Sequence, residues 1–361
     1  MPPSMQPDQP PRNQRQESQD DSAQPAPMDA SRPRRPDWWF VIHRRFSLVG
    51  VALCVMLLVW IALQLLALGA MKLWLPSTST VPTWLTLLSS SGPLYLIAMP
   101  LAIAVLARVP KARTRSFSMP AGEFLRLLVV CLPLMYAGSL IGTTLSDLIT
   151  GGTAVNGVAD LITGSDTLTS LVFMVLLAPV FEEWMFRRQI IDRLRAYGER
   201  TAILVSALAF ALFHLNLYQF FYAFALGLVF GYVYTRTSKL RYSVAMHMII
   251  NLNGSVVAPW IVSLLGGKVL KALDSGSIEE MEAAVMANGS GVAAYMAYAL
   301  AMMALVVLGI VVLVRDRRRV EFYPAPLELP KGLRLRTALL NPGMVTYAVL
   351  CVTVTAIVLF V

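Results

Sequence analysis

The chain has 361 residues, 57% of them hydrophobic and only 14% charged, and its mean hydropathy is +0.63. A soluble domain of this size does not carry so apolar a composition, so the chain reads as a polytopic membrane protein. The net charge of +9 does not imply nucleic acid: membrane proteins collect Lys and Arg on cytoplasmic loops, and no stretch resembles a nucleic-acid module.

Residues 1–37 are rich in Pro, Gln, Asp and Ser. They cannot build a core and are expected to form a disordered cytoplasmic tail. The first apolar run begins near Phe46 and no small-residue cleavage site follows it, so no signal peptide is expected. Arg32, Arg34, Arg35, Arg44 and Arg45 precede that run, with Trp38, Trp39 and Phe40 suited to an interfacial belt and His43 read as a surface histidine.

A helix needs about 20 mostly apolar residues to cross a bilayer. Nine spans fit, near 46–70, 92–108, 124–145, 168–187, 201–216, 218–236, 242–265, 291–314 and 343–361. The expected fold is therefore an all-α polytopic bundle of eight to nine transmembrane helices. Cys54, Cys131 and Cys351 fall inside spans and read as small packing residues. Gly227 and Gly231 share one helix face and would let a second helix approach closely.

With the N-terminus inside, 27 of the 30 Lys and Arg residues fall on the inner side. Only Lys72, Lys268 and Lys271 lie outside, where the loops instead carry Asp147, Asp160, Asp166, Asp274, Glu279, Glu280 and Glu282. That partition predicts a multi-pass cell-membrane protein with a cytoplasmic N-terminus.

Polar groups inside the spans are few. Glu182 and Glu183 follow the apolar run Leu171–Phe181, where an ionisable group costs roughly 2.5–3.5 kcal/mol on insertion scales and defaults to a functional role. Glu183 and Arg187 are four apart and can pair, whereas Glu182 is turned about 100° away. Arg187 thus neutralises Glu183 and leaves Glu182 to face a cavity as the candidate general base. Phe210 and His214 share a face of the next span, and His247 and Asn251 share a face of the seventh.

One Glu, two His and one Asn from three helices make a hydrolytic set. The carboxylate takes a proton from water, a histidine assists, and the remaining donors stabilise the oxyanion. A zinc site with Glu182, His214 and His247 as ligands and one open position is equally allowed by these residues. Structural readings compete with both: an interfacial ion pair, and histidine or asparagine as helix–helix hydrogen-bond partners.

These residues resemble the CPBP family of intramembrane proteases, which includes the CAAX prenyl protease type and Abi-type relatives. The family pattern Glu-Glu-x-x-x-Arg, Phe-x-x-x-His and His-x-x-x-Asn stands here as Glu182-Glu183…Arg187, Phe210…His214 and His247…Asn251. The lead-in Ala178-Pro179 and the stretch Tyr234-Thr235-Arg236-Thr237 are also similar, and the resemblance covers about residues 168–255. Arg188 departs from it, since members often have Gly there.

The resemblance implies an intramembrane endopeptidase opening toward the cytoplasmic side and acting on a membrane-associated protein or peptide, with lipidated substrates one class. It implies that Glu182 and His214 activate water, that His247 and Asn251 form the oxyanion site, and that Glu183, Arg187 and Phe210 support them. Members are described both as metalloproteases and as glutamate-type proteases, so zinc stays open as a cofactor. The implied organisation is a tail, 1–37, then N-terminal helices, 38–150, a catalytic core, 151–265, and C-terminal helices, 266–361.

Two other function classes remain. One is a proton-coupled transporter using the same groups as a relay, although no internal repeat of the transporter kind is visible. The other is a non-enzymatic immunity or scaffold protein.

Depth adds a structural demand. Glu182 and His247 fall about 7–9 Å from the inner boundary of their spans, and His214 about 20 Å from its own. The groups meet only if the fourth helix runs on to about Tyr197 and the fifth begins outside the bilayer.

Overall fold

The computed structural model describes residues 38–74 and 81–360. The 1–37 tail, expected to be disordered, lies outside the described residues, as do Arg32, Arg34 and Arg35.

All regular structure in the described residues is helical. In chain order the helices are α1 (Trp38–Trp74), α2 (Thr83–Leu106), α3 (Ala121–Thr150), α4 (Gly157–Thr163), α5 (Thr167–Tyr197), α6 (Glu199–Phe213) and α7 (Leu217–Thr237). Then come α8 (Leu240–Ser263), α9 (Gly266–Ser275), α10 (Ile278–Ala287), α11 (Gly289–Arg319), α12 (Arg334–Leu339) and α13 (Pro342–Phe360).

Eight of these are long and apolar enough to cross a membrane: α1, α2, α3, α5, α7, α8, α11 and α13. The expected fifth span, 201–216, is instead α6, a helix of 15 residues. At about 1.5 Å per residue it falls short of a bilayer core. It is still a traverse of the bundle. Gly227 of α7 lies on Ala207 of α6 and Gly231 lies on Ile203, so the two helices run antiparallel at close range. This is the close approach those two glycines predict.

Helix direction supports the same count. Trp39 Nε1 donates to Thr337 Oγ1 at 3.1 Å, the Gly343 N–H donates to Ser47 Oγ at 3.1 Å, and Cys54 Sγ lies 3.8 Å from the Gly343 carbonyl oxygen. Helices α1 and α13 therefore run parallel. Eight traverses would leave them antiparallel; counting α6 as a ninth makes them parallel. Nearly every apolar side chain of α6 is buried, so its shortness exposes little of it to lipid.

The fourth long helix reaches Tyr197, as the depth count demands. Its reversal into α6 uses Gly198 at φ 126°, a backbone conformation that side-chain-bearing residues rarely adopt. Asp166 starts α5 by accepting from the Thr169 N–H at 3.0 Å, and Asn216 starts α7 by accepting from the Tyr218 N–H at 2.8 Å.

Four stretches widen into π-helix: Leu94–Ala98, Ser170–Leu177, Trp184–Ile191 and Asn253–Val257. Three of them end two residues before Pro100, Pro179 and Pro259. A helical proline lacks the N–H and its ring displaces the carbonyl four residues back, so a wider turn ahead of it relieves the clash. The stretch Trp184–Ile191 contains no proline and follows directly on Glu183.

The basic segments gather at one end of the bundle. The 108–120 connection bonds to α5 and α7 through the Ala112 N–H on the Asp192 carbonyl at 2.7 Å and the Phe117 N–H on the Thr237 carbonyl at 2.8 Å. The 320–333 connection bonds to α5 through the Leu327 N–H on the Ala196 carbonyl at 3.0 Å, and Arg126 pairs with Asp316 at 2.8 Å. Arg45 of α1 donates to the Tyr197 hydroxyl.

The α1–α13 seam is sensitive to size, because a Cβ on Gly343 would lie 1.9 Å from the Ser47 carbonyl oxygen. Gly343→Val is expected to destabilise by about 1–3 kcal/mol or more, read as a lower melting temperature in detergent. Gly122→Ala, where an added Cβ meets nothing within 4 Å, is the control. Equal melting of the two variants would contradict the seam.

Candidate active site

The site is built on α5, α6, α7 and α8. On α5, Glu183 and Arg187 pair at 3.1 Å with both side chains fully buried. Two charges leave water at several kcal/mol each, so such a pair persists only where further contacts satisfy it. Arg187 Nη1 donates to Ser206 Oγ at 2.9 Å, and Ser206 in turn donates to the Phe186 carbonyl at 2.7 Å. The guanidinium carbon sits 4.8 Å from the Phe210 ring centroid and 5.9 Å from that of Phe230, both within cation–π range.

Glu183 is also engaged from α8. The His247 Nδ1–H donates to Glu183 Oε1 at 3.2 Å. The other ring nitrogen, Nε2, faces Glu182 Oε2 at 3.7 Å, longer than a hydrogen bond. One imidazole therefore bridges the two glutamates, and the bridge comes from a helix 64 residues away. The glutamates are unequal: the Glu183 side chain is 0% exposed and the Glu182 side chain 16% exposed. Glu182 is the more accessible carboxylate of the two.

Phe210 of α6 is the hub between the polar groups. Its ring meets His214 edge-on at 4.7 Å and His247 edge-on at 5.8 Å, besides facing Arg187. The two histidines are thus brought to one ring, though among the described residues no hydrogen bond or ion pair joins His214 to either glutamate. His214 ends α6, and its Nδ1 lies 2.8 Å from the Phe210 carbonyl. A carbonyl only accepts, so Nδ1 carries the hydrogen and Nε2 of the neutral ring is a free acceptor. The next residue, Leu215, has φ 52°, unusual for a side-chain-bearing residue, and makes the sharp turn into α7.

Asn251 follows His247 by one turn, and its Nδ2 donates to the Met174 carbonyl at 2.9 Å. Met174 lies in the widened stretch Ser170–Leu177, where a proline two residues beyond loosens the carbonyl pattern. Asn251 thereby ties α8 to α5 and keeps a second amide hydrogen for other use. Arg188, the departure from the family pattern, is exposed.

Among the described residues no three His, Cys, Asp or Glu side chains are grouped to hold a metal ion.

Ser206 and Phe230 belong to the site but lie outside the three motifs. A serine in an otherwise apolar helix was the available signal for Ser206. Phe230, flanked by Gly227 and Gly231, carries no polar signal at all; its ring lies 5.2 Å from that of His247.

Leaving Glu183 buried without its partner is expected to cost about 3–5 kcal/mol. Arg187→Met should therefore lose most folded protein, measured as monodisperse yield and melting temperature in detergent, and Glu183→Gln with Arg187→Met should recover part of it. No recovery in the double variant would show that Arg187 acts through packing alone.

Residues 164–253 match the model of a family described as type II CAAX prenyl endopeptidase Rce1-like. No curated protein and no solved structure matches the chain. The matched residues include Glu182, Glu183, Arg187, Phe210, His214, His247 and Asn251. The match covers about a quarter of the chain, and this stretch is similar to CAAX-type proteases of the CPBP pattern.

Proposed function

We propose that this multi-pass membrane protein is an intramembrane endopeptidase that hydrolyses a peptide bond of a membrane-associated protein near the cytoplasmic side. The observation that carries this reading is the buried cluster in which His247 bridges Glu182 and Glu183, on helices within the matched segment. Residues 151–265 form the catalytic core in this reading, with 38–150 and 266–361 framing it. The N-terminus is cytoplasmic and the membrane is the cell membrane, in keeping with the gathering of basic segments at one end of the bundle.

Glu182 accepts a proton from water as the water oxygen attacks the scissile carbonyl carbon. The free Nε2 of His214 accepts the second water hydrogen as a hydrogen bond and orients the nucleophile. His247, held by its Nδ1 contact to Glu183, and the second amide hydrogen of Asn251 form the oxyanion site. Glu182 then returns its proton to the leaving amine. Glu183, Arg187 and Phe210 hold these groups in place.

Glu182→Gln and His214→Ala are each expected to lower cleavage of a membrane-delivered peptide by about 10²–10⁴-fold while the melting temperature stays at the wild-type value. Full activity in both variants would sink the assignment, and solute flux into liposomes without hydrolysis would favour a transporter. Comparing membrane proteomes made with wild type and Glu182→Gln would name the substrate, lipidated or not, by a fragment present only with wild type.

Cleavage is expected to survive exhaustive chelation. Loss on chelation with recovery on adding zinc would replace the water-activation step with a metal-bound one.

A further inference from the structure

At the arginine-rich end of the bundle, α3, α6, α7 and α11 enclose a cavity of about 430 Å³. Pockets that bury a small amphiphile run from roughly 300 to 1,000 Å³. The inner wall is aliphatic: Leu127, Val130 and Leu134 of α3, Leu228 of α7 and Val312 of α11. None of the site residues Glu182, Glu183, His214, His247 or Asn251 lines it.

The mouth has the opposite character. Arg126, Arg200, Arg317 and Arg319 stand there; Asp316 is the carboxylate among the lining residues, and Glu123 reaches Arg126 at 3.7 Å from beside it. Asp316 already serves two of them, Arg126 at 2.8 Å and Arg319 at 3.3 Å. Arg200 lies over the Phe322 ring at 4.6 Å, which fixes its direction without neutralising it. Arg317 is exposed. Among the described residues neither Arg200 nor Arg317 has a carboxylate partner.

The wall formed by α11 is thin. This helix packs through Gly309 on Val129 and Pro133 of α3, while Val307, Leu308, Val311 and Val314 are exposed. The cavity therefore lies within reach of bilayer lipid. An apolar cavity does not hold water well, and lipid chains are its natural filling. A zwitterionic lipid would fill the aliphatic wall, but its own ammonium offsets its phosphate, so the two guanidiniums would gain no net negative charge. Basic sites between membrane helices at this level suit anionic head groups, and guanidinium pairs well with phosphate.

The geometry points to a binding site for one anionic phospholipid, its acyl chain between α3, α7 and α11 and its phosphate at Arg200 and Arg317. The site is separate from the hydrolytic cluster and does not depend on the function proposed for it.

Native mass spectrometry of the full chain, purified in detergent and titrated with phosphatidylglycerol or phosphatidylcholine, tests this. Wild type is expected to retain one phosphatidylglycerol in preference to phosphatidylcholine. Arg200→Gln with Arg317→Gln, both at exposed positions, should weaken phosphatidylglycerol binding about 30-fold, from about 1 kcal/mol per arginine. Leu134→Trp, which fills the cavity, should lower retention of both lipids. Equal retention of the two lipids by wild type, or undiminished phosphatidylglycerol retention in the double arginine variant, would overturn the proposal. So would retention of a prenylated peptide in place of phosphatidylglycerol, which would make the cavity a substrate subsite.

Discussion

The buried pair of Glu183 and Arg187 sets the geometry on which the site depends. Each ion left in an apolar interior costs several kcal/mol, so every contact around the pair is a requirement of the fold. Ser206, Phe210, Phe230 and His247 supply those contacts from three other helices. Once they are made, α5 cannot rotate, and Glu182, about 100° around the same helix, is held toward His247. The pair contributes orientation more than stability. It divides two chemically identical neighbours into a carboxylate locked in ion pairs and a more accessible one.

The short helix α6 is the second constraint. It carries Ser206, Phe210 and His214 on consecutive turns, so one face meets the buried guanidinium and carries the histidine proposed to orient water. A helix of 15 residues cannot satisfy a bilayer by itself, and its neighbours shield it instead. That shielding requires close packing against α7, which Gly227 and Gly231 permit. The widening of α5 over Trp184–Ile191 falls where Arg187 must reach α6, without a proline to cause it. Widened turns at such places are common in functional sites.

Much of this was legible in the sequence. The bundle, the segregation of basic segments, the Glu183–Arg187 pairing at i and i+4 and the greater openness of Glu182 all follow from local spacing and composition. The continuation of α5 to Tyr197 followed from depth alone. The bond from His247 to Glu183 was not legible, because it joins residues 64 apart and depends on how α8 packs on α5. The sequence assigned Asn251 to the oxyanion but could not show that one of its amide hydrogens already ties α8 to the carbonyl of Met174. The span 201–216 looked like an ordinary crossing because hydropathy measures apolarity, not which surface covers it. The arginine-rimmed cavity was invisible because Arg126, Arg200 and Arg317 lie far apart in sequence and share a mouth only after four helices pack.

The parallel seam between α1 and α13 bears on how the molecule is made. Ser47 and Gly343 are 296 residues apart, and at synthesis rates of about 5–20 residues per second their meeting is delayed by some 15–60 seconds. Throughout that interval α1 sits in the bilayer with its glycine notch at Gly50 open and Ser47 and Cys54 without their α13 partners. The newborn chain is thus a helix waiting for its mate, and any chaperone or insertase that attends it has a defined surface to hold. Closure of the seam is a late event that reports arrival of the far end of the bundle, and quality control that senses an open small-residue notch would recognise every chain stalled before that point.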